Sequence, residues 1–222
     1  MQLRQLTYLA KVEFYKNYKC AYNTLQIICF YVVSAVLFGF TMAPEQIIKV
    51  GPAWLWFTMS FSLILAITDF FAEEYASGVL ARYLLLKDDI YFVILIKAIV
   101  TTATILLPLL ISLVVISQAF CLTNAVVYSI IVAMLLTGPV VLLLGMMVAS
   151  LVYNLKNNNV LMIGLLLPLL VPVLLLGLAS VDAVQNNVSN TALLAILAAI
   201  FTVVISFSPF AIAYFLRINY RA

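Results

Sequence analysis

The sequence predicts an all-α integral membrane protein. The expected architecture is a six-transmembrane-helix bundle with an N-terminal interfacial helix and a cytoplasmic helix between spans 2 and 3. Three observations lead there. First, 67% of the 222 residues are hydrophobic and only 9% are charged, against about a quarter charged in a soluble domain. With a mean hydropathy of +1.23, the chain could not cover its core with polar surface, so lipid is its expected solvent. Second, six apolar runs, at 22–43, 52–70, 90–117, 125–152, 160–181 and 191–216, each approach the roughly 20 residues that cross a bilayer. Third, the basic residues alternate in phase with those runs. Arg4, Lys11, Lys16, Lys19, Arg82, Lys87, Lys156, Arg217 and Arg221 all fall on one side if there are six spans; the other side has only Lys49. The positive-inside rule then puts both termini in the cytoplasm.

The elements follow in order. Before span 1, Leu3, Leu6, Ala10 and Phe14 share one helical face and Arg4 and Lys11 another, as in a helix lying in the membrane interface; the alternative is a frayed basic tail. Nothing in the first 20 residues resembles a cleaved signal, so the spans are expected to be retained and to direct targeting. Spans 3 and 4 are long enough to tilt. Five prolines fall inside spans: Pro108, Pro139, Pro168, Pro172 and Pro209. Each removes a helix hydrogen bond, which makes either a hinge or a static kink, and Pro168 and Pro172, four apart, act on nearly one face. Lys97 is the one ionisable group well inside a span; it either snorkels to the cytoplasmic interface or is paired inside the bundle. The whole chain, 1–222, reads as one transmembrane domain without repeats.

Several chemistries have no residues to support them. The chain has no phosphate-cradling GxxxxGK[ST], no GxSxG or HExxH, and no histidine. Adjacent Glu73 and Glu74, and adjacent Asp88 and Asp89, point about 100° apart on a helix and make no convergent acid–base pair. No catalytic, cofactor-binding or metal-binding residue is assigned, and the chain is not expected to be an enzyme. Cys20, Cys29 and Cys121 lack CxxC spacing and read as reduced packing residues. The net charge of +3 argues against a nucleic-acid partner.

The connection between spans 2 and 3 is the most informative stretch. On a helical wheel over 71–83, Phe71, Ala72, Tyr75, Ala76, Val79, Leu80 and Tyr83 fill one half. Glu73, Glu74, Ser77, Gly78 and Ala81 fill the other, with Arg82 at the border. Such a helix lies in the lipid interface or docks into a groove of another protein; its acidic polar face argues for the protein.

At this point the chain resembles the permease subunits of ABC transporters, and more closely the haem exporter protein B family (CcmB), over nearly its whole length. The resemblance rests on five stretches in order. They are Gly51-Pro-Ala-Trp-Leu-Trp56 with Asp69-Phe-Phe-Ala-Glu-Glu-Tyr-Ala-Ser-Gly78; Leu136-Thr-Gly-Pro139; Leu151-Val-Tyr-Asn-Leu-Lys156; Leu167-Pro-Leu-Leu-Val-Pro172; and Ser208-Pro-Phe-Ala211 with Leu216-Arg-Ile218. The chain departs from the family pattern at Ala81 and Lys87, where members often carry a Gly-x-Leu-Glu and then a proline.

The resemblance implies a non-catalytic membrane permease subunit, homodimerisation within the complex, and a separate ATPase subunit (CcmA) that carries the ATP. The 71–83 segment would be the coupling helix that docks the ATPase, with Phe71, Tyr75, Val79 and Leu80 as anchors, Glu73, Glu74 and Arg82 at the rim, and Gly78 within the docking segment. It also implies work with CcmC, CcmD and the haem chaperone CcmE in cytochrome c-type biogenesis, with haem as substrate and no covalently bound cofactor. Either haem is exported, or ATP drives release of haem-loaded chaperone. The implied location is a bacterial inner membrane or a mitochondrial one. A membrane scaffold that only recruits partners is the alternative, and a stand-alone secondary transporter would need mid-membrane ion ligands that the sequence scarcely offers.

Overall fold

The computed structural model describes residues 21–67, 90–152 and 158–221. The expected N-terminal helix, the 71–83 helix and Lys156 lie outside the described residues. Six helices carry the described chain: α1 Ala21–Thr41, α2 Pro44–Leu65, α3 Ile90–Ala119, α4 Asn124–Val152, α5 Asn158–Gln185 and α6 Thr191–Arg221. All six are long and apolar enough to cross a membrane. At 1.5 Å per residue even the 22 residues of α2 reach about 33 Å, against a hydrocarbon core of about 30 Å. The protein is a six-helix membrane bundle.

The largest departure from the sequence expectation is the start of span 2. The expected span begins at Pro52, which leaves Glu45, Gln46 and Lys49 outside it. Instead α2 begins at Pro44 and Pro52 lies inside it, a sixth intrahelical proline. Pro44 takes the first helical position, where a missing N–H costs nothing. The N–H of Ala43 donates to Gln46 Oε1 at 3.4 Å, which is half of a capping box; alanine offers no side-chain acceptor for the other half. The connection to α1 is thereby cut to Met42 and Ala43. The helix ends at Leu65, short of the expected residue 70, with Ala66 and Ile67 in a turn. At the far end α6 runs to Arg221, one turn beyond the expected 216. Cys29 and Cys121 are free and exposed on the bundle surface, not packed in the core as expected.

The centre of the bundle is α4. It packs against α2, α3, α5 and α6, while α1 packs only on α2 and α3. Val140, Val141, Leu142 and Leu143 are buried in succession, so α4 is covered all round at that turn, as a helix apolar on every side is in a multi-helix core. By contrast α6 has 17% of its spanning stretch buried and turns most of its surface outward.

Long-range contacts show which helix ends meet. Gln185 at the end of α5 bonds Ile48 and Lys49 near the start of α2. Ser129 near the start of α4 bonds Ser180 late in α5. A Cβ on Gly39 or Gly51 would touch Phe120, just past α3. The connections 42–43, 120–123 and 186–190 therefore lie together at one end, the hairpin end. Tyr91 at the start of α3 meets Phe210 late in α6, their ring centroids 4.8 Å apart, at the opposite end, which carries segments 68–89 and 153–157.

Several buried hydroxyls are satisfied within their own helices. Thr58, Ser60 and Ser62 donate to Trp54, Trp56 and Thr58 carbonyls at 2.9, 2.9 and 2.7 Å, and Thr137 to Ala133 at 2.9 Å. Bonding to a carbonyl one turn back lets a hydroxyl sit in an apolar medium where nothing else would accept from it.

Candidate functional site: two unlike flanks of the central helix

On one flank of α4, α2 and α5 meet through directional contacts. The indole N–H of Trp56 donates to the Leu174 carbonyl at 3.2 Å. Its six-membered ring lies so close to Gly177 that an added Cβ would overlap it. Trp56 is fully buried, so the ring has nowhere to go. Toward the hairpin end, Asn190 Nδ2 donates to Ser129 Oγ at 3.3 Å and Ser180 Oγ at 3.2 Å, and Ser129 Oγ donates to the Ser180 carbonyl at 3.3 Å. Gln185 Nε2 donates to the carbonyls of Ile48 and Lys49 at 3.0 and 2.8 Å. The Ile48 carbonyl is the one that Pro52, four residues on, cannot bond; Gln185 supplies the missing donor. At the opposite end of the same flank, Ile67 fills the space over Gly145 of α4 so closely that no Cβ fits there.

The other flank of α4, toward α3 and α6, holds a cavity of about 320 Å³. Ala98, Thr102 and Leu106 of α3, Leu135, Pro139 and Leu143 of α4, and Phe201 and Ile205 of α6 line it. Apart from the Thr102 hydroxyl its walls offer only hydrocarbon. Three of the six intrahelical prolines surround it. Pro139 is on the wall and leaves the carbonyl of Leu135, also on the wall, without its helix donor. Pro209 does the same to Ile205. Pro108, just past the wall residue Leu107, interrupts the hydrogen-bond ladder of α3 there. Each helix around the groove thus has a proline interrupting its ladder beside it.

The sequence-predicted residues are distributed as follows. Pro108 and Pro139 are half-buried and Pro209 is buried, all beside the groove; Pro168 and Pro172 lie exposed on the outer face of α5, together as their spacing requires. Lys97 is buried, 5% exposed, on α3 next to the groove residue Ala98. It is the one charged side chain buried among the described residues. Phe71, Glu73, Glu74, Tyr75, Gly78, Val79, Leu80 and Arg82 lie outside the described residues. Among the described residues no three His, Cys, Asp or Glu side chains group as a metal site would need. Sequence reasoning missed Pro52, Trp56, Gly177, Gln185 and the Ser129–Ser180–Asn190 cluster. Only Pro52 carried a local signal, and Gly51 beside it disguised that signal as a helix boundary.

A family profile described as "CcmB protein" matches residues 12–219. The chain belongs to the CcmB family. Named relatives agree along the same length. "Heme exporter protein B" of Haemophilus influenzae is 26% identical over 192 residues, covering 86% of this chain and 87% of that one. The Pseudomonas aeruginosa protein of the same name is 26% identical over 197 residues, 86% of each chain. That of Escherichia coli strain K12 is 29% identical over 192 residues, 86% and 87% of the two chains. The CcmB match takes in both flanks of α4 and all five stretches that carry the resemblance in the sequence.

Proposed function

We propose that this chain is the membrane subunit of an ATP-driven haem export complex in cytochrome c-type biogenesis, coupling hydrolysis on a separate ATPase subunit to haem delivery. The observation that carries the reading is the similarity, over 86% of the chain, to proteins named for haem export. In this reading the end of the bundle bearing segments 68–89 and 153–157 faces the cytoplasm, where nine of the eleven lysines and arginines fall. The membrane is a bacterial inner membrane.

The ATPase docks on 71–83, with Phe71, Tyr75, Val79 and Leu80 inserted and Glu73, Glu74 and Arg82 at the rim. Segment 71–83 joins α2 to α3, so a push there reaches α4 by two routes. One is Ile67 against Gly145, a contact with no slack. The other is α3, whose hydrogen-bond ladder is interrupted at Pro108 beside the groove. The flank held by hydrogen bonds and close glycine contacts transmits, and the hydrocarbon-lined flank yields.

Of the two ways to use that motion, release of haem-loaded chaperone from a neighbouring subunit is favoured over passage of haem through this chain. The groove walls offer no imidazole, thiol or thioether to an iron, and the chain has no histidine anywhere.

The test is co-purification. The tagged chain is co-expressed with the ATPase subunit, alone and with Tyr75→Asp and Val79→Asp together, and membrane insertion is checked. Wild type should retain the ATPase and the double variant should lose it. Retention by both moves the dock elsewhere; retention by neither removes the ABC reading and leaves a scaffold, which would also leave the ATPase rate unchanged.

A further inference from the structure

Helix α2 has two unlike parts. From Gly51 onward it is mostly buried. Before Gly51 it is almost bare: Pro44, Glu45, Gln46, Ile48, Lys49 and Val50 are exposed and Ile47 is half-buried. Ile48 and Val50 are 56% and 50% exposed, so these two turns bury little of their own apolar surface. The boundary between the parts is Gly51–Pro52. Pro52 removes the helix hydrogen bond to Ile48, and Gly51 puts no side chain between the two parts. Neighbouring turns of α2 are therefore joined most weakly there.

One side chain bridges the bare turns to the rest of the bundle by hydrogen bonds. Gln185 Nε2 holds the carbonyls of Ile48 and Lys49, at 3.0 and 2.8 Å, in an exposed position. Its own platform is firm. The end of α5 closes with Val188 N–H on the Ala183 carbonyl at 2.7 Å and Asn187 N–H on Val184 at 3.1 Å. Asn187 stands at φ 58, which is the left-handed residue of a Schellman cap. Because the bridge is exposed, water can replace Gln185 on both carbonyls when it lets go, and no buried group is stranded.

We propose that Pro44–Val50 is a flap, hinged at Gly51–Pro52 and latched to α5 by Gln185, that opens the hairpin end of the α2–α5 contact. The Met42–Ala43 connection tethers the flap to α1, so the motion is a tilt of two turns and not a swing. Phe120 backs the hinge; a Cβ on Gly51 would come within 3.2 Å of its ring. The flap parts from α5, while Trp56 stays on Leu174 one turn further in.

Amide hydrogen exchange on the full chain in lipid nanodiscs tests this as a double-mutant cycle. Gln185→Ala should speed exchange across Glu45–Gly51 about tenfold, the worth of a typical net hydrogen bond or two, and leave α4 unchanged. Pro52→Ala returns an N–H to the Ile48 carbonyl. In that background Gln185→Ala should change flap exchange less than twofold, because the latch duplicates a helix bond. An unchanged flap in Gln185→Ala overturns the proposal. So does faster exchange spread through α4, which would make Gln185 a global brace. So does an undiminished effect in the Pro52→Ala background.

Discussion

The two flanks of α4 are built from different chemistry. Toward α2 and α5 the contacts are directional: an indole on a carbonyl, an asparagine shared by two serines, an isoleucine seated on a glycine. Toward α3 and α6 there is a hydrocarbon-lined groove with a proline in every surrounding helix. In water both flanks would be held by the hydrophobic effect. In a bilayer lipid tails are as apolar as leucine, so hydrocarbon contact between helices gains little over contact with lipid. Close approach at small residues and interhelical hydrogen bonds then decide which helices stay together. Inward of the Gly51–Pro52 hinge, the α2–α4–α5 unit should accordingly be the rigid part of the bundle. The α3–α6 side, where lipid can stand in for protein, should be the part that moves.

The sharpest way to break this comparison is Gly177→Ala. On an ordinary helix surface that change adds about 0.5–1 kcal/mol of stability. At Gly177 the new methyl meets the buried ring of Trp56. Overpacking costs about 1–3 kcal/mol, and displacing the ring leaves a buried indole N–H unpaired at about 1–3 kcal/mol more. The clash wins, and a net loss of about 3 kcal/mol is expected in detergent-induced unfolding. Gly164→Ala on the same helix is the control. Nothing lies within 4 Å of a Cβ there, so it should be neutral or slightly stabilising. Equal effects at the two positions would remove the α2–α5 contact as a rigid element.

Trp56→Phe sharpens the same point at a smaller scale. It keeps a large ring beside Gly177 and deletes the donor to Leu174. The Leu174 carbonyl loses one acceptor interaction, so a loss of about 1–2 kcal/mol is expected. A loss under about 0.3 kcal/mol would mean that shape alone holds α2 against α5.

The same physics explains what the sequence could and could not reveal. Six spans were legible because hydropathy needs only composition along a line, and the basic residues mark alternate connections without reference to packing. Pro52 misled because the rule that proline starts helices is true of Pro44, eight residues earlier. Gln185 and Trp56 gave no signal, since their partners are backbone carbonyls 137, 136 and 118 residues away, and every residue has a carbonyl. The cysteines were misplaced because a span's apolar residues face lipid as readily as core; Cys29 is exposed on a helix with much of its surface outward. Pro108, Pro139 and Pro209 were each visible, but that they surround one groove depends on the helix arrangement alone.

The smallest expected effect tests the yielding flank. Ala103 lines the groove and is exposed, so Ala103→Leu adds hydrocarbon to a space that hydrocarbon already suits. If the groove is open to lipid, the larger side chain displaces an acyl segment of similar chemistry, and stability in lipid nanodiscs should move by less than about 0.5 kcal/mol, as for surface substitutions generally. If the groove instead closes onto α3 in the resting bundle, the same change overpacks it and costs about 1–3 kcal/mol. A loss in the second range would place a tight contact on the flank argued here to be loose, and the division of α4 into a rigid and a yielding side would fail. A null effect on stability accompanied by slower ATP turnover in the complex proposed above would locate the motion, since a filled groove resists closure without weakening the resting state.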